Sequence, residues 1–279
     1  MEKKLDLPYK KTWCPGCGNF GILESIKRAI SSLEEEGERR EDFVLTTGIG
    51  CHAKIIDYIG INTFCGLHGR GIPLATGIKI ANPKLKVVTC SGDGDSYNEG
   101  LAHLIFAAKR NIDITVIIHD NRAFALTVGQ FTAVSPKGYK GKSTPEGSTE
   151  NPFNPLELLL AAGATFIARG YVGKTEHLKN LIIEGTKHKG FSFIEVLQPC
   201  VAWSNTYETY SERTYEFNNL NPSSKEDAYQ KVQEWDYRNG EKIPLGVFYK
   251  IEAETLDQQL SAGLNGEKVE VKEALQEFK

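Results

Sequence analysis

The sequence predicts an α/β protein on a doubly wound, mostly parallel sheet, followed by a C-terminal arm. Three observations carry that reading. Short apolar runs alternate with amphipathic segments up to residue 200. Several of those runs end in Gly-rich or polar turns, the places where such sheets bind ligands. The 279 residues, 40% hydrophobic and 25% charged, suffice for one large core, or one core plus a tail.

The elements follow in order. Gly18 to Gly37 is an amphipathic helix: Phe20, Leu23, Ile26, Ala29, Ile30 and Leu33 share one stripe, and Glu34-Glu35-Glu36 is a solvated end. Phe43–Thr47 is a strand running into Gly48-Ile49-Gly50-Cys51. Asn62–Cys65 is a short extended piece before His68-Gly69-Arg70-Gly71, and Pro73–Ala81 is a small-residue helix ended by Asn82-Pro83. Leu85–Cys90 and Ile114–His119 read as buried strands, joined by a helix from Glu99 to Arg110. Asn121 to Asn154 is a polar stretch with four glycines and three prolines before Asn154. A loop of that length is uncommon unless it serves a site or a partner. Pro155–Gly163 is a helix, Ala164–Ala168 a strand, Thr175–Lys189 a helix and Ser192–Leu197 a strand ending at Pro199-Cys200.

After Cys200 the character changes. Trp203 to Asn221 is rich in Tyr, Asn, Ser and Thr; Lys225–Arg238 is a helix, Leu245–Ile251 an edge strand and Gly266–Lys279 a charged tail. Residues 1–200 are expected to form the core, and 201–279 an arm packing on the core or on a partner. There is no internal repeat and no low-complexity tract.

A net charge of −3 gives no support for nucleic-acid or anionic-membrane binding. No apolar run reaches the roughly 18–20 residues of a membrane span; the longest, Leu156 to Ala168, is broken by Glu157 and Gly163. Met1 to Asp6 has no apolar stretch behind it, so no signal peptide is expected and a cytoplasmic location follows by default. Six cysteines in such a chain argue against a disulfide scaffold and toward metal or redox use.

The most informative residues are Gly92-Asp93-Gly94-Asp95, with Asp120-Asn121 one βαβ unit later. The turn and the Asn both fall at carboxyl ends of parallel strands. A carboxylate and an amide oxygen fixed there can hold Mg²⁺, leaving positions open for substrate phosphates. The glycines let the backbone approach a diphosphate, whose charge the next helix N-terminus favours. Gly and Asp are also common at ordinary βαβ turns; the paired strands and Asn121 favour the functional reading. The spacing resembles the thiamine-diphosphate signature.

Cys14-Pro15-Gly16-Cys17 lies on a loop before a helix, Cys51 in a Gly-rich strand end, and Cys200 after a strand end and a Pro. Strand ends of one sheet edge converge in space, so four thiolates can meet near the diphosphate turn. Such a set suits Zn²⁺ or an iron–sulfur cluster, and a C-x-x-C alone suits a redox dithiol. Cys65 and Cys90 read as small core residues.

Several segments together resemble the β subunit of 2-oxoacid:ferredoxin oxidoreductases, especially the archaeal-type two-subunit enzymes. They are Trp13-Cys14-Pro15-Gly16-Cys17-Gly18-Asn19, Gly48-Ile49-Gly50-Cys51, Leu67-His68-Gly69-Arg70 with Ala75-Thr76-Gly77, Gly92-Asp93-Gly94-Asp95, His119-Asp120-Asn121, Leu126-Thr127, Gly129-Gln130 and Leu197-Gln198-Pro199-Cys200. They run in family order over residues 8–200; the arm matches less clearly. The resemblance implies a thiamine-diphosphate-binding fold and oxidative decarboxylation of a 2-oxoacid to acyl-CoA and CO₂, with coenzyme A as co-substrate and electrons leaving through a [4Fe–4S] cluster to ferredoxin. Cys14, Cys17, Cys51 and Cys200 match cluster ligands. Asp93, Asn121 and the Ala123 carbonyl match Mg²⁺ ligands. Cys51, His68, Gly92, Gly94, Asp95, Leu126 and Thr127 fall where the family lines the cofactor pocket, and Lys54 matches a basic residue near the substrate carboxylate. The Glu that activates the aminopyrimidine belongs to the other subunit, an α or fused γα chain, so this chain is expected to be half of an active site. Among departures, His52 and Ala53 replace small polar residues, and Val128 stands where a Lys is expected. Other readings are a non-oxidative thiamine-diphosphate decarboxylase or synthase half, and a Cys₄-zinc interaction subunit.

Overall fold

A computed structural model describes residues 5–263 except 219 and 239. Eight strands form one sheet: β1 Phe43–Thr47, β2 Asn62–Cys65, β3 Lys86–Gly92, β4 Thr115–Asp120, β5 Phe166–Tyr171, β6 Ser192–Leu197, β7 Thr214–Glu216 and β8 Ile243–Lys250. Their spatial order is β2-β1-β3-β4-β6-β5-β8-β7. The first six in that order are mutually parallel, β8 runs antiparallel to β5, and β7 is parallel to β8. β1, β4, β5 and β6 are buried along their whole length, as parallel strands covered on both faces must be.

Among the described residues, eight α-helices connect or flank the strands: α1 Asn19–Glu35, α2 Gly71–Ala81, α3 Leu101–Lys109, α4 Pro155–Ala162, α5 Thr175–Lys187, α6 Tyr207–Arg213, α7 Lys225–Gln233 and α8 Leu256–Gly263. Right-handed crossovers put α2, α3 and α4 on one face. The return from β5 to β6 puts α5 on the other, where it packs against α1. The stripe of α1 buries Ile22, Leu23, Ile26, Ala29, Ile30 and Leu33 in that contact layer.

The chain leaves β1 outward to β2, then crosses back to β3 on the other side of β1. The β1/β3 boundary is therefore a topological switch point, where the loops diverge and leave a crevice. The long loop after β4 ends in a well-capped helix: the Asn154 side chain accepts from the Leu156 and Glu157 amides, Pro155 opens α4, and Gly163 closes it at φ +92°.

Several expectations need correction. Helix α2 starts at Gly71 rather than Pro73, because Pro is tolerated in a first turn. Helix α3 starts at Leu101 rather than Glu99, because Gly94–Glu99 winds as a wide π turn that buries Asp95, Ser96 and Tyr97. Strand β8 is not an edge strand: the three-residue β7 lies outside it. Helix α7 stops at Gln233, not Arg238, because Trp235 and Tyr237 leave the helix to become buried. Cys90 is fully buried in β3, but Cys65 is exposed, because β2 forms the sheet edge. Residues 266–279, expected as a charged tail, lie outside the described residues.

Candidate active site

The carboxyl ends of adjacent strands lay out the candidate residues in spatial order: Cys51 after β1, Asp93 after β3, Asn121 after β4 and Cys200 after β6. Cys51, His68, Asp93, Asn121, Ala123 and Leu126 line one cleft at the switch point. Gly92, Gly94, Asp95 and Thr127 line it too. Gly94 is required by close approach: a Cβ there would lie 2.4 Å from the Phe124 ring.

Asp93 is 1% exposed, and Thr132 Oγ1 donates to its Oδ2 at 2.6 Å. Burial pushes its carboxyl up to about 7, against hydrogen bonds from Thr132 and nearby backbone amides. Asp120 is wholly buried; burial and the neighbouring Asp93 and Glu195 raise it well above the usual range. Its Oδ1 accepts from the Arg122 amide at 3.1 Å, while Oδ2 has no partner. Asn121 Oδ1 accepts from the Ala123 amide at 3.0 Å and keeps a second lone pair. Two buried carboxyls, one with an unpartnered oxygen, lie beside an amide oxygen and form a hard-oxygen set that a divalent cation would complete. These residues fit Mg²⁺.

Asp95 lines the same cleft, yet internal donors use its carboxylate. The Gly69 amide (2.7 Å) and the Ile49 amide (3.1 Å) donate to Oδ1, and Ser91 Oγ (2.6 Å) donates to Oδ2. Burial alone would raise its carboxyl; His52, Ser91 and the Gly69 amide outweigh it and hold Asp95 well below the usual carboxylate range. Asp95 thus ties together the turns after β1, β2 and β3. A Cβ on Gly48 would fall 2.1 Å from that carboxylate, so only glycine fits. His68 Nδ1 lies 2.7 Å from Asp95 Oδ1, which orients the ring beside Phe124.

Lys54 does not line the cleft. It lies on the short helical segment after Cys51, with Nζ 3.4 Å from the Thr12 carbonyl. Leu126 is 46% exposed at the rim. Its loop closes where the Phe124 amide donates to the Gln130 carbonyl at 2.9 Å, and Thr127 Oγ1 donates to Gln130 Oε1 at 2.8 Å.

Three segments carry the four cysteines. The Cys17 amide donates to the Cys14 carbonyl at 3.0 Å, Trp13 Nε1 to the Cys51 carbonyl at 2.7 Å, and the Gly18 amide to the Pro199 carbonyl at 3.3 Å. Burial raises the Cys17 thiol, with Cys200 and Cys14 adding to it. Burial raises Cys51 to about 11, with Cys17, Cys200 and Cys14 contributing. Cys17 and Cys51 each therefore lie within reach of the charge of Cys14 and Cys200. Among the described residues, no three His, Cys, Asp or Glu side chains converge on a single-ion position. Cys51 belongs to both groupings, thiols and cleft.

Motif reasoning passed over Thr132, which bonds Asp93, and His52, which lines the cleft 3.5 Å from Asp95 Oδ2. Two motif residues, His119 and Asn19, meet as a buried pair with His119 Nδ1 2.7 Å from Asn19 Oδ1, a contact that the motifs do not reveal. Only the length of the loop after Asn121 signalled Thr132.

Comparison with known proteins agrees with this geometry. Residues 48–196 match the model of the thiamine pyrophosphate enzyme C-terminal TPP-binding domain, and 200–263 match that of the C-terminal part of the pyruvate ferredoxin oxidoreductase β chain. The chain is 41% identical over 251 residues to subunit beta of 2-oxoacid:ferredoxin oxidoreductase 1 of Aeropyrum pernix, covering 85% of this chain and 77% of that one. It is 41% identical over 264 residues to the 2-oxoacid:ferredoxin oxidoreductase subunit beta of a Sulfolobus species, covering 88% and 83%. A solved 2-oxoglutarate:ferredoxin oxidoreductase from Magnetococcus marinus, with 2-oxoglutarate, coenzyme A and succinyl-CoA bound, superposes with a TM-score of 0.90 at 32% identity, covering 100% of this chain and 97% of that chain. No described helix is long and apolar enough to cross a membrane. The layout of the strand ends and these likenesses agree: the chain belongs to the β subunits of the 2-oxoacid:ferredoxin oxidoreductases, a family of thiamine pyrophosphate enzymes.

Proposed function

We propose that this chain, together with an α or fused γα partner, carries out the CoA-dependent oxidative decarboxylation of 2-oxoacids of the pyruvate, 2-oxobutyrate and 2-oxoglutarate class. The products are acyl-CoA and CO₂, and the electrons pass to ferredoxin. The observation that carries the reading is Cys51, which lines the cleft and also lies within reach of the other three thiols. An electron path from a cofactor in the cleft to a thiol-held centre is short only if the two sites share a wall.

Thiamine diphosphate, when bound, supplies the electron sink that loss of CO₂ requires. Asp93, Asn121 and the Ala123 carbonyl hold the Mg²⁺ that anchors its diphosphate, and Gly92 and Gly94 admit it to the backbone. Leu126 and Thr127 cover the cleft and His68 lies at its wall; Lys54, outside the lining but near enough to Cys51 for its charge to be felt there, would have to swing from the Thr12 carbonyl to meet a substrate carboxylate. Cys14, Cys17, Cys51 and Cys200 hold the [4Fe–4S] cluster. Four such thiols suit either tetrahedral zinc or a four-iron cluster, and the wall that Cys51 shares with the cleft favours the redox-active centre.

No Glu is among the described residues lining the cleft, in keeping with a partner that supplies the carboxylate activating the pyrimidine. Residues 1–200 carry the cofactor and cluster ligands, and the described residues after 200 form an arm that adds β7 and β8 to the sheet. Such thiols work in a reducing compartment, the cytoplasm. The test is anaerobic co-purification with the partner, with assays of iron, sulfide, thiamine diphosphate and CoA-dependent reduction of ferredoxin by 2-oxoacids. The expected result is about four irons per chain, as one [4Fe–4S] centre requires, and activity in the complex only. Zinc without iron, or decarboxylation by the isolated chain, overturns the proposal.

A further inference from the structure

Arg122 directly follows Asn121 and has φ +59°, a conformation that residues other than glycine seldom adopt. Its surroundings over-determine it. The amide donates to Asp120 Oδ1 at 3.1 Å. In the side chain, Nε donates to the Val134 carbonyl at 2.7 Å and Nη2 to the Tyr237 carbonyl at 3.0 Å. The guanidinium lies 5.8 Å from the ring centres of both Trp235 and Tyr237. The Arg122 carbonyl accepts from Ser135 Oγ at 2.6 Å. Ser135 Oγ accepts from the Thr132 amide at 2.7 Å, and Thr132 Oγ1 donates to Asp93 Oδ2 at 2.6 Å. One unbroken path of bonds thus joins Asp93 to the residue beside Asn121.

The far end of the path is in the arm and is rigidly set. Trp235 and Tyr237 are each 3% exposed and stack with ring centres 4.2 Å apart. Tyr237 itself has φ +69°. Its hydroxyl donates to Glu195 Oε2, which also accepts from Arg169 Nε at 2.8 Å. The Arg169 guanidinium lies 4.8 Å from the Trp235 ring. This segment is therefore rooted in β5 and β6.

We propose that Arg122 is a positioning residue: fastened to Tyr237 of the arm, it sets the Asn121 turn, so that the cation affinity of the Asp93–Asn121 pair depends on that attachment. The proposal rests on the reading that Asp93 and Asn121 hold the cofactor's cation. Groups that orient metal ligands from behind are typically worth ~10–100-fold in metal affinity.

The test uses the complex with its partner, stripped of Mg²⁺ and thiamine diphosphate but keeping its iron, then titrated with Mn²⁺ in saturating thiamine diphosphate while free Mn²⁺ is read by electron paramagnetic resonance. Arg122→Gly tolerates the backbone conformation and removes the guanidinium. It is expected to bind Mn²⁺ ~10–100-fold more weakly, with iron content unchanged. Arg122→Lys, which serves one carbonyl rather than two, should fall between Gly and wild type; if the Gly variant does not assemble, the Lys variant decides. A role confined to stability would lower the melting temperature and leave Mn²⁺ affinity untouched, and that outcome overturns the proposal. Asp93→Ala separates the two inferences: wild-type Mn²⁺ binding there defeats the cation site itself, whereas loss there with unchanged binding in Arg122→Gly defeats only the positioning role.

Discussion

The proposed cation turn and the proposed cluster thiols occupy neighbouring strand ends but are built in opposite ways. The oxygen donors Asp93 and Asn121 flank a single βαβ unit and are deeply buried. Side chains from the long loop hold them, as Thr132 holds Asp93. The cysteines come from three distant segments, range from exposed Cys14 to buried Cys200, and their segments are held by backbone bonds and the Trp13 indole. A hard cation needs preset oxygens in a dry site, because burying an unpaired carboxylate is costly. A thiol-bound centre supplies much of its own ordering energy, so its ligands can lie on surface loops. The first site should fail by electrostatics, the second by loss of covalent ligands.

The largest expected effect is at the buried carboxylate. Asp93→Ala should abolish retention of thiamine diphosphate while the circular-dichroism spectrum and the iron content persist. Wild-type cofactor occupancy in that variant would show that the two regions are not divided in this way.

The thiol side sharpens the contrast. Cys14→Ser, outside the lining of the cleft, should lose iron but keep thiamine diphosphate. Cys51→Ser, on the shared wall, should lose iron and also weaken the cofactor. Equal cofactor content in the two variants would mean that the wall is not shared in function.

A smaller effect is expected at the rim. Val128 has φ +73°, is 46% exposed and lies two residues from Leu126. A distal substrate carboxylate is costly to desolvate without a cation. Val128→Lys should therefore raise kcat/KM for 2-oxoglutarate relative to pyruvate and 2-oxobutyrate by ~10–100-fold, the worth of one charge-assisted hydrogen bond. No relative gain would place the specificity determinant elsewhere, for instance on the partner.

The smallest effect is a pH dependence confined to the cation turn. Burial raises Asp93 from 3.8 to about 7 in the folded, metal-free chain. Between those values the folded state binds the extra proton, so stability is greatest near pH 4, falls as pH rises toward 7 and levels off above it. Melting temperatures taken from pH 5 to pH 8 should show this decline in wild type and a weaker one in Asp93→Asn. Saturating Mg²⁺ should remove it in wild type, because the cation holds the carboxylate ionised. An identical decline with and without Mg²⁺ would assign it to other groups.

The sequence by itself determined what depends on neighbours along the chain. The stripe of α1, the apolar runs of β1, β3, β4 and β6, and the Gly-Asp-Gly and Asp-Asn turns are legible because helix and strand periodicities are local. Only the tertiary structure decided which pieces face one another. It put β8 between β5 and β7, left Cys65 at the sheet edge, turned Asp95 into a tie between three loops, and brought Thr132 and Tyr237 to opposite ends of the path through Arg122. Those pairings leave no periodic trace, because they are chosen by which buried polar group most needs a partner once the sheet has closed around it.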